Sequence, residues 1–220
     1  MSQGIKSVVG IFAHPDDEAF GPGGTLATFA KDNDVYVICA TSGETATGET
    51  DQKLGEERRE ELRKSCADLG IKKVYFLGYT DGALCNNVYQ EVADKIKHIL
   101  DDLQPKVLIT YESRGVSGHI DHIVVSLVTQ FLFPKILSAK KLMMYCMPYK
   151  RSLPMHGKYF IYFPYGYKDN EIDEVVDIED VWDTKVKAMY EHQTQIHDIE
   201  RILSQSKNFP KKEYFLVQEK

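Results

Sequence analysis

Apolar residues are distributed along this chain in two periods. Short runs that are apolar almost throughout have the length and β-branched content of buried strands: SVVGIFA at Ser7 to Ala13, VYVICATS at Val35 to Ser42, KVYFL at Lys73 to Leu77, VLITY from Val107, and LMMYCM at Leu142 to Met147. Between these runs apolar positions recur three and four residues apart. GGTLATFAK predicts a short helix before the second run, and Leu54, Leu62, Cys66 and Leu69 form a stripe from Gln52 to Leu69 opposite a charged EERREELRK face. Val88, Val92, Ile96, Ile99 and Leu103 form the next stripe, stopped by Pro105. A further helix is predicted from Asp121 to Phe133, with Ile123, Val124, Leu127, Val128, Phe131 and Leu132 on its apolar side. Parallel strands need helical crossovers, so the alternation predicts an α/β fold, a Rossmann-like three-layer sandwich with a mainly parallel sheet covered on both faces.

Beyond Pro148 the pattern changes to aromatic and polar material, YFIYFPYGY at Tyr159 to Tyr167 followed by the acidic NEIDEVVDIEDVWD. This predicts a small C-terminal β/α addition: a late hairpin or edge strand, then a long helix from Asp183 to about Ser204. Alternation within the aromatic run suits edge-strand packing, and sugar stacking or an oligomer contact are its other uses. Neither an internal repeat nor a linker divides the chain, so residues 1–220 are expected to form a single domain.

Composition narrows the partners. The 220 residues carry 27 basic and 33 acidic side chains, a formal charge of −6, which argues against a broad basic face and hence against a nucleic-acid partner. No apolar run approaches the roughly 18 residues of a membrane span, and MSQGIKSVVG lacks the pattern of a secretory signal, so a cytoplasmic protein is expected. Cys39, Cys66, Cys85 and Cys146 are widely separated and are expected to be reduced thiols, Cys39 and Cys146 being buried in strands.

Reactive residues concentrate in two places. His14, Asp16, Asp17 and Glu18 follow the first strand, where a parallel sheet presents the loops of its crevice. GHIDH, Gly118 to His122, follows the fourth strand at the start of a helix, which sets His119 and His122 on one side. Taken singly, the acids suit helix caps or solvated first turns. Taken together, His14, Asp17 and His122 fit a three-ligand site for zinc, although another divalent metal accepts the same donors. Asp16 would then be left to take a proton from water, and His119 to stabilise an oxyanion or protonate a leaving group.

AHPDDE at Ala13 to Glu18 together with GHIDH resembles the PIG-L/LmbE-like N-acetylglucosaminyl deacetylase superfamily. TSGE at Thr41 to Glu44, RREE at Arg58 to Glu61, LGYTDG at Leu77 to Gly82 and EHQTQ at Glu191 to Gln195 extend the resemblance over most of the chain. It implies that His14, Asp17 and His122 bind zinc, that Asp16 is the base, that His119 assists at the transition state and that Asp121 orients its imidazole. It also implies hydrolysis of the acetyl group of a small N-acetylated amino sugar or sugar conjugate, and it leaves a homo-oligomer open.

Ile120 stands where the familiar motif has Pro, and Thr194 where Ser is common in the late HxSQ-type feature. Arg58 and Glu61 match an RxxE pattern that orders a substrate, braces a loop or forms a surface ion pair. Glu44, Asp81 and His192 are further candidates for touching substrate or bracing the site, Asp81 having an Asp-Gly turn as its simpler role and His192 ordinary helix packing. A metal-dependent hydrolase acting on another amide and a catalytically weak sugar-binding protein are the competing functions.

Overall fold

The computed structural model describes residues 7–46, 48–157 and 162–220. The first half runs β1 (Ser7–Phe12), α1 (Asp17–Phe20), α2 (Gly23–Ala30), β2 (Asp34–Thr41), α3 (Gln52–Asp68), β3 (Lys73–Tyr79), α4 (Tyr89–Leu103) and β4 (Val107–Tyr111). The second half runs α5 (Gly115–Gly118), α6 (Ile120–Leu132), β5 (Lys141–Cys146), α7 (Tyr149–Ser152), β6 (Glu174–Asp177), α8 (Trp182–Tyr190), α9 (Ile196–Ser206) and β7 (Lys212–Glu219). The strands form one sheet in the order β3-β2-β1-β4-β5-β7-β6, parallel from β3 to β5, with β7 antiparallel to both neighbours. This is the expected Rossmann-like sandwich: α2, α3 and α8 pack together on one face, and α4 and α6 on the other.

The central strands are apolar throughout because both of their faces are covered. Every residue of β1 and β4 is buried. Helix boundaries follow local chemistry. The Asp51 carboxylate accepts the N–H groups of Lys53 and Leu54 at 2.9 and 3.2 Å and starts α3. Gly70, at φ +78°, ends it, with Gly70 N–H donating to Ala67 O and Ile71 N–H to Cys66 O in a Schellman motif. All four cysteines are free thiols, and Cys39 and Cys146 are buried in β2 and β5 as expected.

The C-terminal addition differs from its prediction in two respects. Of the expected late hairpin, residues 158–161 lie outside the described residues, and 162–167 form no strand beyond a bridge between Tyr167 and Pro148. The expected edge addition is β6, inside the acidic stretch, and it pairs with β7, for which helical periodicity offers no signal. The expected helix from Asp183 to Ser204 is broken between Tyr190 and Ile196. There the Thr194 N–H and hydroxyl bind the Glu61 carboxylate at 2.8 and 2.7 Å, and His192 turns inward to Glu18, so tertiary bonds replace helical ones.

Strand β7 also closes the helix layer. Glu213 accepts the N–H groups of Gly24 and Thr25 at 2.9 and 2.7 Å, supplying α2 with the N-terminal acceptor that Pro22 cannot. Lys185 of α8 completes this buried pair, donating to Glu213 Oε1 and to Gly21 O, both at 2.6 Å. Removing one partner strands the other in the interior. Glu213→Ala is therefore expected to destabilise the fold by about 3–5 kcal/mol, read as a lower urea midpoint with an unchanged slope; a midpoint at the wild-type value would contradict the assigned role.

Candidate metal centre

Strands β1 and β4 are neighbours, and from them the chain winds outward in opposite directions, through β2 and β3 on one side and β5 on the other. Their carboxyl ends are thus the switch point of the sheet, where loops diverge and leave a crevice. His14 to Glu18 leave β1 there, and His119 to His122 enter α6 just beyond β4.

His14 Nδ1 lies 3.1 Å from His122 Nε2 and 3.6 Å from Asp17 Oδ2, and His122 Nε2 lies 3.3 Å from Asp17 Oδ1. Donors on a tetrahedral zinc with bonds of 2.0–2.1 Å are separated by roughly 3.3 Å, a spacing approached by the triangle that the His14–His122 pair makes with the Asp17 carboxylate, one oxygen toward each ring. The outward ring nitrogens are already engaged. His14 Nε2 faces Asp81 Oδ1 at 2.9 Å and Asp121 Oδ2 at 3.3 Å, while His122 Nδ1 faces Gly115 O at 3.1 Å. A ring proton held outward leaves an inward lone pair, the arrangement by which carboxylates and carbonyls orient metal-binding histidines. Two such lone pairs and a carboxylate this close repel one another unless a cation or a shared proton lies between them. The residues present therefore fit a divalent metal. The Tyr111 ring stacks on His122, with centroids 4.3 Å apart and planes 5° apart, and fixes its rotation.

His119 is also within reach of this centre, its ring centroid 4.8 Å from that of His14. Its Nδ1 caps α6 by accepting the Asp121 N–H at 3.2 Å, which leaves the ring proton on Nε2. Asp121 thus meets His119 as an orienting partner, and it does so through its backbone amide. Its carboxylate points elsewhere, accepting from Gly82 N–H at 2.8 Å and Leu84 N–H at 3.1 Å besides facing His14. Asp81 combines its two suggested roles: it holds His14, and it anchors its own turn through the Thr45 hydroxyl at 2.8 Å.

Asp16 stands beside the triangle and outside it. Arg58 Nη2 donates to Asp16 Oδ2 at 2.8 Å and to Pro15 O at 2.7 Å, and Nη1 to Gly43 O at 2.8 Å. A Cβ on Gly43 would sit 2.2 Å from Nη1, which is why TSGE has glycine at this position. Arg58 and Glu61 are both buried and bind different partners, Asp16 and Thr194, so the surface ion pair is excluded. Glu44 accepts the Asp81 N–H at 3.1 Å, and its buried Oε2 has no hydrogen-bond partner among the described residues. His192 lies outside the donor set, with Nε2 on Glu18 Oε1 at 2.8 Å.

Burial and neighbouring charge separate the two adjacent aspartates. Burial raises the Asp16 carboxyl and the Asp17 charge adds to it, against Arg58, to a pKa of about 7. Burial also opposes ionisation of Asp17, but His122 and His14 outweigh it and hold this carboxyl below the usual range. Burial carries His122 down to about 4. For His14 burial acts downward too, and hydrogen bonds to Asp121, Asp17 and Asp81 reverse it, raising the group well above its ordinary value. A metal bound to this triangle must displace the extra His14 proton, so binding releases protons.

Sequence reasoning passed over Glu112, Tyr111 and the function of Glu18. Glu112 accepts the Val116 N–H at 3.1 Å and the Tyr167 hydroxyl at 2.8 Å, pinning the loop whose Gly115 carbonyl orients His122. Its position directly after β4 was the available signal. Chemistry rather than cavity size marks this centre: a cavity of about 270 Å³ bordered by Arg151, Phe209 and Tyr214 shares none of its residues.

Residues 9–132 match the family model PIG-L, GlcNAc-PI de-N-acetylase. A 1D-myo-inositol 2-acetamido-2-deoxy-alpha-D-glucopyranoside deacetylase from Mycobacterium sp. (strain JLS) is 32% identical over 235 residues, spanning 89% of this chain and 76% of that protein. The chain belongs to the PIG-L family. Among solved structures, this PIG-L protein is similar to N,N'-diacetylchitobiose deacetylase from Pyrococcus horikoshii, with a TM-score of 0.71 and 23% identity over 98% of this chain and 84% of that one. It is also similar to GalB, the 4-carboxy-2-hydroxymuconate hydratase of Pseudomonas putida KT2440, with a TM-score of 0.66 and 20% identity over 97% of this chain and 96% of that one. Both likenesses concern the fold.

Metal analysis after dialysis separates the donors from their supports. The PIG-L chain is expected to retain about one divalent ion as wild type and as His119→Ala, to lose it as Asp17→Ala, and to bind it roughly 10- to 100-fold more weakly as Asp81→Ala. Loss of metal in His119→Ala with retention in Asp17→Ala would reverse the assignment of the third donor.

Proposed function

We propose that this PIG-L protein is a zinc-dependent hydrolase that removes the acetyl group from an N-acetylated amino sugar or a small sugar conjugate. The observation that carries the proposal is the division of labour between the adjacent aspartates: Asp17 faces the two imidazoles, whereas Asp16 is excluded from them and braced by Arg58. Support for the substrate class comes from the mycobacterial relative, which is named as a deacetylase of an acetamido-deoxy-glucopyranoside.

Zinc held by His14, Asp17 and His122 would supply a Lewis acid that polarises the acetyl carbonyl and acidifies water. Asp16 accepts the proton of the attacking water, a task suited to a partly buried carboxyl that Arg58 holds outside the donor set. His119 presents its Nε2–H, fixed by the bond from the Asp121 amide to Nδ1, to the oxygen on which negative charge develops. The proton taken by Asp16 then passes to the nitrogen, the C–N bond breaks to give acetate and a free amine, and Asp16 returns to its carboxylate. Arg58 keeps Asp16 aimed throughout.

The likeness to a hydratase favours a second reading, addition of water to another polar substrate at the same centre. Product identification decides between them. Incubation of the zinc-loaded protein with N-acetylated monosaccharides, disaccharides and sugar conjugates is expected to release acetate and a product lighter by one acetyl group. Asp16→Asn should retain metal and lower turnover roughly 10²- to 10⁴-fold. A folded, metal-bound protein that releases no acetate across the panel would overturn the deacetylase assignment.

A further inference from the structure

The backbone of Asp16 adopts φ 119° and ψ −28°, a region that residues with a Cβ rarely enter. Strain of this kind persists only where the surroundings over-determine it. Arg58 restrains the Asp16 side chain, but it does not touch the Asp16 amide. That N–H donates to Glu18 Oε2 at 3.1 Å. Glu18 is only 1% exposed, and its other oxygen, Oε1, accepts the Ser65 hydroxyl at 2.5 Å and faces His192 Nε2 at 2.8 Å. Both of its oxygens are therefore committed, one to the strained turn and one to the helix layer.

The helix layer is arranged for this contact. Arg58, Glu61 and Ser65 recur at helical spacing along the buried side of α3, and each meets a different part of the site's support. Arg58 binds the Asp16 carboxylate, Glu61 holds the break between α8 and α9 through Thr194, and Ser65 binds Glu18. The break that Glu61 holds is what turns His192 inward onto Glu18. A local helix cap would need neither Ser65 nor His192.

We propose that Glu18, seated by Ser65 and His192, is the positioning residue that locks the strained Asp16 turn and thereby aims the Asp16 carboxylate at the reacting water. The catalytic half of this inference rests on the hydrolytic function proposed above; the placement of Asp16 does not. Glu18→Gln preserves volume but replaces one acceptor oxygen with an NH₂ group, so Asp16 or the Ser65–His192 side loses its acceptor. Ser65→Ala removes one bond behind Glu18 with almost no change in shape.

The test uses the full, metal-free, ¹⁵N-labelled chain and follows hydrogen exchange of the Asp16 amide. Exchange is expected to accelerate about ten-fold or more in Glu18→Gln and less in Ser65→Ala. The His14 amide, which donates to Asp17 at 2.7 Å and not to Glu18, should stay at its wild-type rate. In the zinc-loaded enzyme Glu18→Gln should lower kcat roughly 10- to 100-fold with KM and metal content near wild type. Added to Asp16→Asn it should cause no further fall, because the group it positions is already gone. An Asp16 amide equally protected in all three proteins, or additive losses in the double variant, would overturn the proposal. Absence of acetate release by wild type would instead count against the hydrolytic function, and the exchange experiment would still decide the placement of Asp16.

Discussion

The close approach of two imidazoles and a carboxylate, each held by bonds to its outer atoms, is what the rest of the site depends on. His14 Nδ1 and His122 Nε2 lie 3.1 Å apart at the carboxyl ends of adjacent strands, and the Asp17 carboxylate meets the first with Oδ2 at 3.6 Å and the second with Oδ1 at 3.3 Å. Left to themselves such groups would turn away from each other or share a proton. They stay because every other polar atom on them is committed: His14 to Asp81 and Asp121, His122 to Gly115 and the Tyr111 ring, Asp17 to the His14 amide. The supporting groups come from loops after β1, β3 and β4, so the sheet order itself is a condition for the site.

Buried polar side chains do much of this work. A buried charge is tolerated only when its hydrogen-bonding capacity is met, and meeting it ties distant segments together. Glu18 and Glu112 illustrate the principle on the two sides of the centre. Each is buried, and each accepts an N–H from a non-glycine residue at positive φ, Asp16 at 119° and Val116 at 62°. Glu213 acts alike at the start of α2. Backbone conformations that would be unfavourable in an isolated loop are thus held by carboxylates anchored in the layers.

The same sheet serves proteins named as deacetylases and one named as a hydratase. Fold alone therefore leaves the reaction open, and the chemistry depends on the placement of individual groups. A His119 whose Nδ1 is taken by the Asp121 amide and a carboxyl that stands outside the donor triangle are features of chemistry, and neither follows from the order of strands.

Much of this was legible in the linear chain. Fully apolar runs separated by amphipathic stripes predict a covered parallel sheet, because each period reports the burial of its own element. HPDDE and GHIDH are local motifs, so the identity of His14, Asp17 and His122 could be read before their distances were known. Strand β7 could not be read in this way. KEYFLVQE becomes a strand by pairing with β5 and β6, and the helix expected across His192 is interrupted by bonds to Glu18 and Glu61. The roles of Asp121, Arg58 and Glu18 likewise depend on which partners arrive from segments 39, 42 and 47 residues away. Sequence alone determined which elements form and which reactive groups are available, since those follow from local periodicity and side-chain type. Only the tertiary structure decided which group faces which, because a hydrogen bond between distant segments is specified by where the packed layers bring them.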